Sequence, residues 1–133
     1  MTKTLKILFR AAFYVYLVAV AVLCFGSFNS LPEVSKTILG IPTDKVVHFC
    51  MFLPFPILAF LAYDKYTGNR PQVLIFALVT FLVGCLLAVA TELGQAYLTD
   101  YRSGDPRDFL ADFLALLTGS AVATFIDLRQ LHR

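Results

Sequence analysis

Four stretches of this chain, Ala11 to Phe28, Val46 to Tyr63, Val73 to Ala90 and Phe109 to Ile126, run for about 18 residues each with almost no polar side chain on any face. As helices each would be about 27 Å long, close to the hydrocarbon thickness of a bilayer. A helix of a water-soluble bundle keeps one polar face at the 3.6-residue period, and these windows keep none. The composition agrees, with 59% hydrophobic and 15% charged residues, against about 45–50% and 25% in soluble domains. The expected fold is all-α: an integral membrane four-helix bundle, one domain over residues 1–133, with spans at about 7–28, 44–63, 72–98 and 106–127.

The first window resembles a signal peptide, because Lys3, Lys6 and Arg10 precede it. Its apolar stretch is too long for an ordinary h-region, no small-x-small site follows, and Leu23 before Cys24 spoils a lipoprotein site, so it is expected to stay as the first span. Basic residues in short loops remain cytoplasmic. With the N-terminus inside, Lys3, Lys6, Arg10, Lys65, Arg70, Arg129 and Arg133 lie inside, against Lys36, Lys45, Arg102 and Arg107 outside, which favours N-in, C-in. The net charge of +2 serves topology and suggests no nucleic-acid partner. The three cysteines, Cys24, Cys50 and Cys85, have no metal or redox spacing and read as small hydrophobes. The connection from Asn29 to Thr43 carries Leu31, Ile38, Leu39 and Ile41, more apolar material than a solvated loop needs. It is expected to lie against the outer surface as a partly interfacial or re-entrant segment.

The scarce polar residues fall at matching ends of the spans. Asp44, Lys45 and His48 open the second, Glu92 and Gln95 close the third, and Arg102, Asp105, Arg107, Asp108 and Asp112 open the fourth. Alternating direction brings all three groups to one side, the outer one. Asp44 and His48 are at i, i+4 and share a helical face, so they can hydrogen-bond or present two ligands together. Asp44 also suits a cap, and His48 a neutral hydrogen-bonded role within the bundle. Glu92 sits about a turn and a half inside its span with Gln95 at i+3. An ionised carboxylate there needs a partner or water, and His48, Arg102 and Arg107 are its candidates, in a structural ion pair or a site. Asp105 suits an N-cap before Pro106, and Asp108 and Asp112 are again at i, i+4. Pro54 and Pro56 are expected to kink the second span, and Gly84 and Gly119 to let helices approach closely.

At Asp44-Lys45-x-x-His48-Phe49, Glu92-x-x-Gln95, Arg102-Ser103, Asp108 and the Asp112 position, the chain resembles the VanZ-like family of small bacterial membrane proteins, over about Ser30 to Thr124. Two departures are visible: the family usually has Asn at the position of Asp112 and Gly at that of Ala115. The first changes the charge of the site or its preference for a cation. The resemblance implies an envelope function in the bacterial plasma membrane, in a family whose founding member is associated with resistance to the glycopeptide teicoplanin.

Three function classes fit these residues. The first is an intramembrane hydrolase or transferase acting at the outer leaflet on a lipid or lipid-linked cell-wall intermediate. Glu92, Asp108 or His48 would be the general base, with Arg102 and Arg107 binding a phosphate or carboxylate. Asp44, Lys45, Gln95 and Asp112 complete the substrate-binding set. In a variant, Asp44, His48, Glu92, Asp108 and Asp112 hold a divalent cation that activates water, although their spacing matches no established metal motif. The second is a non-catalytic binder of a lipid headgroup, a cell-wall peptide or an amphiphilic antibiotic such as a glycopeptide. The third is a small transporter component, which fits less well because the cytoplasmic halves of the spans are nearly free of ionisable groups.

Overall fold

The structure is a computed structural model that describes residues 1–26, 36–100 and 104–133. Each long helix starts where a side chain can accept from free backbone N–H groups. Thr2 caps α1 (Lys3–Phe25), Asn69 caps α4 (Arg70–Leu98) and Asp105 caps α5 (Pro106–Gln130), with Pro71 and Pro106 in the first turns of the latter two. The second span is broken into α2 (Thr43–Phe52) and α3 (Pro54–Ala62). Leu53 between them keeps helical dihedrals and its N–H still donates to the Phe49 carbonyl at 3.0 Å. Pro54 and Pro56 lack the donors that would bind the Cys50 and Phe52 carbonyls, so the hydrogen-bond ladder is interrupted there. With α2 and α3 taken as one span, four segments are long and apolar enough to cross a bilayer.

In lipid, apolar burial does not drive helices together, so close packing through small residues has to. The buried stripe of α4 includes Thr80, Gly84, Ala88 and Thr91, and that of α5 includes Ala115, Gly119, Ser120 and Ala123. The opposite faces expose Leu74, Leu78, Leu82 and Leu86 on α4 and Leu110, Leu114 and Leu117 on α5. A Cβ at Gly119 would stand 2.7 Å from the Leu53 carbonyl oxygen and 2.6 Å from Pro56 Cγ. The proline break therefore packs directly on the α5 backbone. α5 is the hub, packed on α4, α2 and α3, while α1 lies mainly along α3. Arg10 Nε donates to the Ala62 carbonyl at 3.1 Å and closes the end of α3.

The connection before α2 departs from a plain loop. Thr37–Ile38 (β1) and Ile41–Pro42 (β2) form a two-stranded antiparallel hairpin, pairing Thr37 with Pro42 and Ile38 with Ile41. Its two turn residues, Leu39 (φ 51°) and Gly40 (φ 79°), are both left-handed, as a tight hairpin turn of right-handed twist demands. Leu39 is 98% exposed. The part of the interfacial or re-entrant expectation that covers residues 29–35 lies outside the described residues.

Candidate functional site

Helix direction alone places the site. His48 follows the start of α2 by five residues, Asp112 follows the start of α5 by six, and Glu92 precedes the end of α4 by six. At 1.5 Å per residue all three lie about 8–9 Å inside the same end of the bundle. His48, Glu92, Asp108 and Asp112 are all buried, Asp112 completely. The imidazole sits among the three carboxylates: Nδ1 is 3.0 Å from Asp112 Oδ1 and 3.6 Å from Glu92 Oε1, and Nε2 is 3.4 Å from Asp108 Oδ2. Only the Asp112 contact has hydrogen-bond length, so the ring is written with Nδ1–H donating to Asp112. That pairing fixes the ring and turns Nε2 towards Asp108.

The two oxygens of each carboxylate have different fates. Glu92 Oε2 accepts from the Asp105 backbone N–H at 3.1 Å, which ties the loop before α5 onto α4. Gly104 allows that approach, since a Cβ there would meet Ala96 Cβ at 2.9 Å. Among the described residues Glu92 Oε1 and Asp112 Oδ2 are buried and accept no hydrogen bond. Asp108 is shared, facing His48 with Oδ2 and the Lys45 ammonium with Oδ1.

Lys45 Nζ also donates to Asp44 at 2.8 Å and to Asp105 at 2.7 Å, so a single ammonium gathers three carboxylates at the helix ends. Asp105 lies outside the spans, and the hydrogen bond from Lys45, then that from the Arg107 N–H, holds its carboxyl below the ordinary carboxylate range.

Most of the polar set marked in the sequence therefore converges. Asp44 does so only through Lys45: its side chain is exposed while His48 points inward, although the two share an i, i+4 relation. Gln95 turns away, its Nε2 donating to the Cys24 carbonyl at 2.9 Å and tethering the end of α1 to α4. Arg107 is exposed at the edge of the site, and Arg102 lies outside the described residues. Asp105, marked in the sequence only as a cap, is a full member through Lys45 and Glu92. Tyr16 was not marked; its hydroxyl donates to the Met51 carbonyl at 2.5 Å, one turn below His48.

Two openings flank the centre. A groove of about 800 Å³ between the hairpin, α2 and α5 is lined by Ile38, Leu39, Val46, Phe49, Leu110 and Leu114, with Lys45 and Arg107 as its charged groups. A smaller cleft of about 330 Å³ between α4 and the start of α5 reaches Glu92 past Tyr97, Gly104 and Phe109.

Fold and site together define a small multi-pass α-helical membrane protein with a buried histidine–carboxylate centre at one end of its bundle. The profile of the VanZ/LLP1 family matches residues 12–127, which adds most of α1 to the region the motifs cover. The chain belongs to the VanZ-like family. No curated protein and no solved structure matches it.

Proposed function

We propose that this protein acts in the bacterial plasma membrane, N-in and C-in, as a hydrolase or transferase on a lipid or lipid-linked cell-wall intermediate of the outer leaflet. The observation that carries the reading is the apolar groove, whose charged groups are Lys45 and Arg107 and whose Lys45 is bonded to the carboxylate that faces His48. An acyl or polyprenyl chain suits the groove, and its anionic headgroup would meet Arg107. His48, held by Asp112, is the proton acceptor. An attacking water or hydroxyl oxygen bonds to the headgroup as its proton passes to Nε2. The bond to the lipid oxygen breaks, and that oxygen takes the proton back.

The test is turnover of a labelled lipid-linked cell-wall precursor or phospholipid by the protein in nanodiscs. His48→Gln and Glu92→Gln are expected to abolish product formation in protein that remains folded. Saturable binding with no product from the unaltered protein would favour the non-catalytic binder, for which the same groove suffices. Orientation is checked in cells with Lys36→Cys and Gly68→Cys, in a background with Cys24, Cys50 and Cys85 replaced by Ser. An impermeant maleimide is expected to label the former and spare the latter.

A further inference from the structure

We propose that His48, Glu92 and Asp108 bind one divalent metal ion of the zinc or manganese type, with Asp112 holding the imidazole in place. The inference rests on the reading above only in taking the same residues as the site, and it changes the part His48 plays there: Nε2 would hold the ion instead of taking the proton, and the ion would lower the cost of deprotonating water.

Two acidic sets at this end of the bundle could hold a cation, and they share Asp108. In the outer set Asp44, Asp105 and Asp108 already surround the Lys45 ammonium, which donates to all three. Its positive charge is supplied by the chain. The inner set offers one atom each from His48, Glu92 and Asp108, all within 4.8 Å of one another. No lysine or arginine among the described residues pairs with His48, Glu92 Oε1 or Asp112 there.

The second observation is independent of that clustering. Glu92 Oε1 and Asp112 Oδ2 are buried carboxylate oxygens that accept no hydrogen bond among the described residues, and Asp112 is 0% exposed. A carboxylate oxygen out of water and without a donor is costly, and an imidazole has only two N–H groups for the three carboxylates around it. A cation held by His48, Glu92 and Asp108 supplies the partner that Glu92 Oε1 lacks.

Ligand atoms about 2.1 Å from an ion stand about 3.0–3.4 Å apart in octahedral or tetrahedral arrangement, and His48 Nε2 lies 3.4 Å from Asp108 Oδ2. Glu92 Oε1 stands 3.6 Å from Nδ1 and would swing towards Nε2 to complete the set. Asp112 Oδ1 on Nδ1–H completes the carboxylate–histidine–metal arrangement that orients a ligating ring. One nitrogen with carboxylate oxygens suits zinc or manganese better than calcium or magnesium, which prefer oxygen alone. The cleft lined by Gly104 and Phe109 has Glu92 in its wall.

The experiment is a manganese titration of the chelator-stripped protein in nanodiscs, followed by electron paramagnetic resonance. One bound Mn²⁺ per chain is expected, with a nitrogen coupling from the imidazole. His48→Gln should remove the nitrogen coupling, and Glu92→Gln and Asp108→Asn should weaken binding about tenfold or more. Asp100→Asn, at an exposed site in the loop, should leave it unchanged. Thermal unfolding of each variant certifies the fold, and the near-isosteric Glu92→Gln serves if His48→Gln does not fold. Absence of binding by the stripped protein overturns the proposal. So does binding that Asp44→Asn weakens and Glu92→Gln does not, which would place the ion in the outer set. Metal binding without lipid turnover would uphold this inference and sink the catalytic reading; turnover indifferent to chelation would do the reverse.

Discussion

His48 Nδ1 and Asp112 Oδ1 meet at 3.0 Å across the α2–α5 interface, and Asp112 is completely buried. The contact sets which nitrogen of the ring faces Asp108. Asp112→Asn keeps an oxygen acceptor there and is expected to keep the fold, with a melting temperature within a few degrees of the parent. Asp112→Ala leaves the imidazole N–H buried and unpaired, at a cost of about 1–3 kcal/mol. Thermal unfolding in detergent separates the two variants, and equal melting temperatures would show that the contact does not matter.

Lys45→Met is expected to lower stability by about 1–3 kcal/mol, because it strands Asp108 beside Asp44 and Asp105 without their shared cation. Adding Asp108→Asn should recover part of the loss, and the double-mutant cycle gives the coupling. The folded-state value of Asp105 is depressed, so its contribution is present above its unfolded value and is lost as the pH falls through the folded one. Lys45→Met should therefore lose its penalty at strongly acidic pH.

Gly119→Ala should destabilise the bundle by about 1–3 kcal/mol. Its new methyl would overlap a backbone oxygen, Leu53 O, which cannot rotate away. At Gly84 the nearest atoms are the end of the Leu116 side chain, and Gly84→Ala should cost less. Urea or thermal titration of both in nanodiscs ranks them, and the reverse order would refute the packing argument.

The chain has no tryptophan, so Leu39→Trp places a lone reporter at the hairpin tip. An apolar residue exposed in a left-handed conformation is expected to gain its environment from the membrane interface. Its emission should be blue-shifted in nanodiscs and quenched by lipids brominated near the headgroup. Emission like that of tryptophan in water would place the tip in solvent.

The spans were legible because lipid abolishes the polar face that a soluble helix needs, so apolar length alone marks them. The convergence of His48, Glu92, Asp108 and Asp112 was legible for the complementary reason: ionisable groups inside apolar helices need one another. Periodicity could not say where individual side chains turn. Asp44 lies one turn from His48 yet points to the surface, since the Lys45 ammonium lies there. Gln95 shares a buried face with Glu92 but serves the Cys24 carbonyl, a backbone acceptor at the end of another helix that no spacing rule exposes. Asp105 joined the set because its N–H and its carboxylate both find partners, while its place before Pro106 signalled only a cap. The hairpin was missed because Leu-Gly carries half the usual turn signal.

On α5 the stripe that seats the helix in the bundle and the stripe that carries Asp108 and Asp112 are one and the same, and the opposite side, with Leu110, Leu114, Leu117 and Val122, faces outward. Two chains could therefore share this architecture and this chemistry while agreeing at a few polar and small residues per helix. The outward leucines and valines are interchangeable with any side chain lipid accepts. Kinship of this kind survives as a sparse pattern of positions long after overall identity has faded, and a profile can detect it where pairwise comparison finds nothing.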